Sequence, residues 1–367
     1  MSHPITHSSG VLMSLVATPT PDPSGALLVE LPRVTLGLDL GDRRTDICRI
    51  DLAGNVQERF KVSTERDALE QLFQLEEPSR VVIEVGTHSP WISRLAQANG
   101  HEVIIANPRK VKLITQGSRK NDRKDAELLA RLGRLDPDLL SPIRHRGRDT
   151  QVRLLSIRQR GHLVGLRTSS INHVRGLVKS HGQRVRPCSS PAFAKRAMED
   201  LTPELFTSLK PSLTAISGFT KLIRDLDRQI ATPPDDLRDV VERMRQITGV
   251  GPLLALTFVL TIEDPHRFEK KSDIGAYLGL VPRQSQSGNT DKQLGITKTG
   301  DGYLRALLVN AAHYILSRGP DTRLRRFGEH LEQRAGHAAR KRAAVAVARK
   351  LAIVLHRLWV TGDDYKP

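Results

Sequence analysis

Arg80-Val-Val-Ile-Glu-Val-Gly86 is a nearly continuous apolar run with one carboxylate near its end. A run this short, rich in β-branched residues and closed by Gly, predicts a strand buried on both faces. Such strands belong to sheets covered by helices on both sides, so the segment restricts its half of the chain to an α/β architecture. Burying the Glu84 carboxylate costs several kcal/mol unless it is paired or bound to a cation. Val34-Thr-Leu-Gly-Leu-Asp-Leu-Gly41 repeats the arrangement, with Asp39 between two leucines. Side chains alternate along a strand, so Asp39 points opposite to Leu38 and Leu40.

The segments around these two complete the pattern. Residues 43–52 and 56–62 predict strands joined by a turn at Ala53-Gly-Asn55, and with the first strand they form a meander. Helical spacing follows over 65–76 and 90–99, with a further strand over 101–106. This order predicts an α/β domain with a mixed sheet. Next comes Arg119-Lys-Asn-Asp-Arg-Lys-Asp125. On a helix Asp122 and Asp125 share a face, and like charges that close repel unless neutralised; a divalent cation does this through carboxylate oxygens. Arg119, Lys120, Arg123 and Lys124 suit a phosphate backbone. The same residues also read as a solvated helix face of alternating charge.

From about 150 to 245 the spacing turns helical, in two long stretches with narrow apolar stripes. A helical hairpin or coiled coil used for dimerisation and a plain structural linker both fit. Beyond Met244, Ile247-Thr-Gly-Val-Gly251 is a tight turn before an apolar helix. It fits a helix-hairpin-helix phosphate site or an ordinary packing turn. Residues 268–280 predict a helix, 281–289 a polar loop and 303–316 another helix. A basic stretch over 323–350 and an amphipathic helix ending near Trp359 close the chain. The expected layout is a disordered leader over 1–32, the α/β domain over 33–148, the helical region over 149–243, a mainly α domain over 244–325 and a basic helical tail over 326–367.

The 367 residues carry 57 Lys and Arg against 40 Asp and Glu, a formal net charge of +17. A chain this basic is expected to meet a polyanion, nucleic acid first. The cations are spread along the chain rather than gathered beside an apolar span, so no membrane association is expected. The apolar stretch over 11–17 lacks the preceding Lys or Arg of a secretory signal. Two scattered cysteines, Cys48 and Cys188, predict neither a disulfide framework nor a zinc site and fit a reducing cytoplasm.

Asp39 in Gly-Leu-Asp-Leu-Gly, Glu84 in Val-Ile-Glu-Val-Gly, and Asp122 with Asp125 in Arg-Lys-Asn-Asp-Arg-Lys-Asp-Ala resemble the Asp-Glu-Asp-Asp set of RuvC-like nucleases. Farther on, Leu278-Gly-Leu-Val-Pro-Arg283, Ser287-Gly288, Gly295-Ile-Thr-Lys-Thr-Gly-Asp301 and Tyr303-Leu-Arg-Ala-Leu-Leu308 resemble the C-terminal domain of one family. That family is the insertion-sequence one-ten transposases, with the related Piv-type DNA invertases, and the likeness runs from about 34 to 318. It implies a RuvC-like domain whose four acids hold two Mg²⁺ or Mn²⁺ ions about 3.5–4 Å apart. It also implies a serine nucleophile, Ser287 or its neighbour Ser285, that links covalently to DNA. Arg283, Lys298 and Arg305 become candidate phosphate contacts. DNA, a structured guide RNA and further copies of the chain are the implied partners, in the bacterial cytoplasm or nucleoid.

Three other functions fit parts of the sequence. A nuclease or junction resolvase would use the same acids with water. Leu38-Asp-Leu-Gly-Asp-Arg-Arg-Thr45 resembles the first phosphate loop of actin-like ATPases, but a second phosphate loop and an adenosine motif are missing. A non-catalytic nucleic-acid scaffold needs only the basic charge and leaves the strand acids unexplained.

Overall fold

The computed structural model describes residues 33–108, 122–287, 290–333 and 339–367; the side chains at 122, 123 and 285–293 are not among the described ones. Arg119, Lys120 and the leader expected over 1–32 therefore lie outside the described residues. The chain divides into two compact units, Met1–His145 and Arg146–Pro367.

The first unit is built on a five-stranded sheet. Its strands are β1 (Val34–Leu40), β2 (Arg44–Asp51), β3 (Val56–Ser63), β4 (Arg80–Glu84) and β5 (Glu102–Ala106), in the order β3-β2-β1-β4-β5. β1–β2 and β2–β3 are antiparallel, whereas β1–β4 and β4–β5 are parallel. The antiparallel part is the expected meander. The parallel part needs crossovers, and α1 (Arg66–Leu75) and α2 (Ser89–Ala98) supply them. One sheet face, with Leu36, Leu38, Ile47, Val81 and Ile83, packs on Leu69, Phe73, Ile92 and Leu95 of these helices. The other face is covered by α3 (Asp122–Leu135), through Leu129 on Val82 and Ile104 and through Ala126 and Ala130 on Cys48 and Ile50.

In the second unit α4 (Arg148–Ser180) packs along α6 (Pro203–Ala231), with the short α5 (Phe193–Asp200) at the far end. Arg153 bridges Asp236 and Arg160 bridges Asp227, and Ile171 shares a cluster with Ile216. Advancing along α4 thus means retreating along the partner segment, so the pair is antiparallel. Then come α7 (Asp235–Arg245), α8 (Pro252–Ile262), α9 (Asp273–Tyr277), a hairpin of β6 (Pro282–Ser287) and β7 (Thr290–Ile296), α10 (Gly302–Arg318), α11 (Arg323–Gln333) and α12 (Ala339–Thr361). α8 is buried at every residue from Leu254 to Ile262 and forms the centre of the core. A helix apolar all round can only be stable in that position.

Two expectations in this unit are corrected. The helix expected over 268–280 is helical only over 273–277. Phe268 is extended (φ −107°, ψ 120°), and Gly279 leaves the helix at φ +66°, where an added Cβ would lie 2.4 Å from backbone atoms of Thr299. The polar loop expected over 281–289 instead contributes β6, paired antiparallel with β7. Pro282-Arg-Gln-Ser-Gln-Ser287 has no apolar alternation, so pairing rather than burial defines it as a strand.

Candidate functional site

The site begins with register. Leu38 pairs with Ile83 in the parallel ladder, so Asp39 and Glu84, one step on, end adjacent strands side by side. Gly37 and Val82 precede them by two residues and face α3, and residues two apart share a face. Asp39 and Glu84 therefore lie on the α3 side, at the carboxyl end of the parallel strands. Open α/β sheets bind their ligands at that end.

α3 brings the second half of the acids. Its sheet-facing stripe is Ala126, Leu129, Ala130 and Gly133; positions 122 and 125 lie one turn earlier on that stripe. Ala126 sits over Gly37, while Arg134 near the C-terminus sits beside Gly54, so the N-terminal turn lies at the Asp39 end of β1. Asp125 is half-buried there. Among the described residues no three Asp, Glu, His or Cys side chains converge closely enough to hold an ion. The donor set at this sheet end is carboxylate, which suits a hard cation with oxygen ligands. Asp39 and Glu84 each already have a polar or electrostatic partner in the fold.

Close contacts hold α3 down. A Cβ on Gly37 would lie 2.0 Å from the Ala126 carbonyl oxygen and 2.5 Å from the Ala130 nitrogen, so only glycine admits the helix at this depth. At the other end Arg80, buried at the start of β4, donates from Nη1 to the Gly133 carbonyl (2.9 Å) and from Nε and Nη2 to the Glu102 carboxylate (2.9 and 3.1 Å). Along the flank Arg59 donates to Glu127 at 2.5 Å, and Arg131 donates to Glu127 (2.8 Å) and to the Gly54 carbonyl (3.1 Å). The Arg59 hydrogen bond holds the Glu127 carboxyl below the usual range; burial opposes this and Arg131 reinforces it. Burial pushes the Cys48 thiol, under the same helix, upward.

Three groups at this sheet end escaped the sequence reading. Asp46 on β2 pairs in register with Asp39, is 6% exposed and is bridged by Lys61 at 2.9 Å. Carboxylates opposed across a ladder repel, and Lys61 offsets that. His88, in the loop after β4, approaches Asp42, in the loop after β1, at 3.5 Å and accepts the Trp91 indole N–H through Nδ1. Only the strand order shows that these two loops meet.

Ser285 and Ser287 lie on β6, and backbone pairing opposes Ser287 to Thr290 and Ser285 to Lys292. Arg283 on β6 and Lys298 after β7 are exposed, and Lys298 takes a left-handed backbone (φ +55°). Arg305 Nη1 donates to the Leu278 (3.0 Å) and Thr299 (2.7 Å) carbonyls, so it ties down the loop bearing Lys298. Asp301 caps α10 by accepting from the Leu304 amide at 2.9 Å and is bridged by Arg158. Burial would raise the Asp301 carboxyl, but Arg158 and the Leu304 amide outweigh it and hold it low.

A family model described as the transposase IS116/IS110/IS902 family matches residues 241–327, and a transposase model of the DEDD IS110 type matches 36–182. The transposase for insertion sequence element IS1111A of Coxiella burnetii is 30% identical over 344 residues, 90% of this chain and 91% of that protein. The chain belongs to the IS116/IS110/IS902 transposase family. A probable family 20 transposase of Pseudomonas aeruginosa is 28% identical over 90% of this chain and 98% of its own length. A pilin gene-inverting protein of Moraxella bovis is 27% identical over 74% of this chain and 76% of its own. The chain is thus a DNA-acting transposase with a DEDD domain, a domain type that works with a divalent metal. All four sequence-predicted acids fall within the DEDD match, and Ser285, Ser287, Arg283, Lys298 and Arg305 within the other. No helix among the described residues is long and apolar enough to cross a membrane.

Proposed function

We propose that this transposase cuts and rejoins the DNA of a mobile element through a covalent phosphoserine, with a RuvC-like acidic site in its first unit. The observation that carries the reading is the placement of Asp39 and Glu84 at adjacent strand ends, on the face covered by the helix of Asp122 and Asp125. Asp39, Glu84, Asp122 and Asp125 would hold the divalent metal, Mg²⁺ or Mn²⁺. That metal would neutralise phosphate charge and lower the barrier to attack by an oxygen nucleophile. Ser287, with Ser285 as the alternative, attacks phosphorus through Oγ. Oγ gives up its proton as a P–O bond to serine forms, the P–O bond to the DNA sugar breaks, and the released sugar oxygen takes up a proton to become a hydroxyl. One phosphodiester replaces another, so rejoining needs no external energy source.

Lys124 beside the acids and Arg283, Lys298 and Arg305 in the second unit contact backbone phosphates, as do Arg119, Lys120 and Arg123. The paired helices α4 and α6 serve as a coiled-coil dimerisation arm, and a structured RNA encoded by the element specifies donor and target. The relatedness to a pilin gene-inverting protein supports inversion as well as transposition as an outcome of one chemistry.

The test is a covalent adduct. Wild-type protein incubated with element-end DNA and Mg²⁺ gives a protein–DNA band on a denaturing gel, and Ser287→Ala removes it. Glu84→Ala and Asp125→Ala abolish strand cleavage while DNA binding persists. An adduct that survives Ser287→Ala moves the nucleophile to Ser285 or elsewhere. Cleavage without any adduct makes the enzyme a hydrolytic nuclease or junction resolvase. Cleavage that survives both acid variants removes the acidic site from the chemistry.

A further inference from the structure

The α4–α6 arm has a break in its seam. The fully buried residues of α4 recur at three- and four-residue spacing: Leu154 and Ile157 at one end, and Ile171, Val174 and Val178 at the other. These ends belong to two separate apolar clusters, and no α4 residue from 158 to 170 is fully buried. Continuing the spacing through the gap puts Arg160, Val164 and Arg167 in seam positions. Arg160 is satisfied, since its Nε donates to Asp227 of α6 at 2.7 Å. Arg167 has no such acceptor: its Nε is buried without a hydrogen-bond partner, and it makes no ion pair among the described residues. Burial lowers its hold on its proton, Arg160 and Arg224 lower it further, and only Asp227, already engaged by Arg160, opposes them.

A groove on α6 is lined by Lys221, Arg224, Asp225, Asp227 and Arg228, of which Arg224 and Asp227 lie within electrostatic reach of Arg167. Arg228 bridges Asp225, and among the described residues Lys221, Arg224 and Arg167 make no ion pair. Arg167 is half-buried and only its Nε is shut off from solvent, so its outer guanidinium nitrogens are left for a ligand oxygen. Lys221 and Arg228 lie seven residues apart, about 10 Å along the helix, a length over which one strand of a duplex presents roughly three phosphates.

We propose that Arg167, Arg224 and Lys221 form a phosphate-backbone binding site for nucleic acid midway along the α4–α6 arm, separate from the cleavage chemistry. An incoming phosphate oxygen meets the outer guanidinium nitrogens of half-buried Arg167. Arg224 and Lys221, exposed at the rim, contact the same or the next phosphate. DNA and RNA offer the same phosphodiester, so the arm could take either the element DNA or a bound RNA.

The experiment is a salt titration of binding with the full chain and two labelled probes, a non-specific DNA duplex and a structured RNA hairpin. The variants are Arg167→Leu, Arg224→Gln and the two combined, with Arg238→Ala on α7 as a charge-matched control away from the arm groove. The double variant lowers the magnitude of the log K against log salt slope by about 1.8 for a duplex or about 1.4 for single-stranded RNA segments. Affinity for the responding probe falls at least about tenfold near 0.1 M salt. Loss with the RNA hairpin alone assigns the site to RNA, loss with the duplex alone assigns it to DNA, and loss with both makes it a general backbone clamp. Leucine completes the apolar seam, so Arg167→Leu keeps or raises the melting temperature. Arg224→Gln at an exposed position keeps the test valid even if the seam variant folds poorly. Slopes unchanged from wild type for both probes in Arg224→Gln and in the double variant overturn the proposal.

Discussion

Glu127 shows how much the placement of α3 depends on single side chains. Its carboxylate ties α3 to β3 through Arg59, and its folded-state pKa lies below the ordinary value. A depressed carboxyl contributes stability that is fully present above its unfolded pKa, about 4.3. That contribution disappears as pH falls through the folded value. Acid unfolding of the first unit, followed by circular dichroism, therefore has a component below about pH 4.3 that Glu127→Gln removes. Equal acid profiles for the two proteins would contradict this. Asp301 obeys the same sign in the second unit, where Arg158 and the α10 cap keep it ionised. Asp301→Asn weakens that cap, so the stability difference from wild type is full near neutral pH and narrows as pH falls through the folded Asp301 value. A chemical-denaturation series from pH 7 to 3 measures it.

At the scale of elements, the proposed acidic site requires α3 to lie flat on the sheet. Gly37 permits this, because any Cβ there would collide with helix backbone rather than with a side chain that can turn away. Gly37→Ala forces α3 outward and costs about 1–3 kcal/mol or more, as overpacking does. Strand cleavage is expected to fall by at least an order of magnitude, while the second unit keeps its helical signal. A fully active Gly37→Ala protein would show that the depth of α3 does not matter to the site. The strands and helices of the first unit were legible because 80–86 and 34–41 carry strong apolar signals and the helices have regular spacing. The β6–β7 hairpin was not, since its polar residues carry no burial pattern. Neither was the true length of α9, which Gly279 and the extended backbone at Phe268 limit through contacts made elsewhere in the fold.

For the whole molecule, the net charge of +17 makes nucleic-acid affinity a matter of counterion release. Raising salt from about 50 to 200 mM is expected to weaken binding to a non-specific duplex by roughly three orders of magnitude. A change of less than tenfold in a fluorescence-anisotropy titration would mean that few of these cations meet phosphate. Asp39 and Glu84 stand out in the sequence because a carboxylate in an apolar strand needs a partner, and the register sets them side by side. Family membership was legible from those motifs together with the Gly-Ile-Thr-Lys-Thr-Gly-Asp segment.

Local sequence thus determined the elements of the first unit, the carboxylates set in its apolar strands and the polyanionic partner. These follow from short-range periodicity and from the cost of burying charge. Strand order and helix docking decided the rest: that β1 and β4 are neighbours, that Asp46 opposes Asp39, and that His88 meets Asp42. They also set Arg167 in a helical seam where, among the described residues, its Nε has no hydrogen-bond acceptor. Such facts depend on pairs of residues distant along the chain, and a periodicity read within a dozen residues contains no information about which segment will lie alongside.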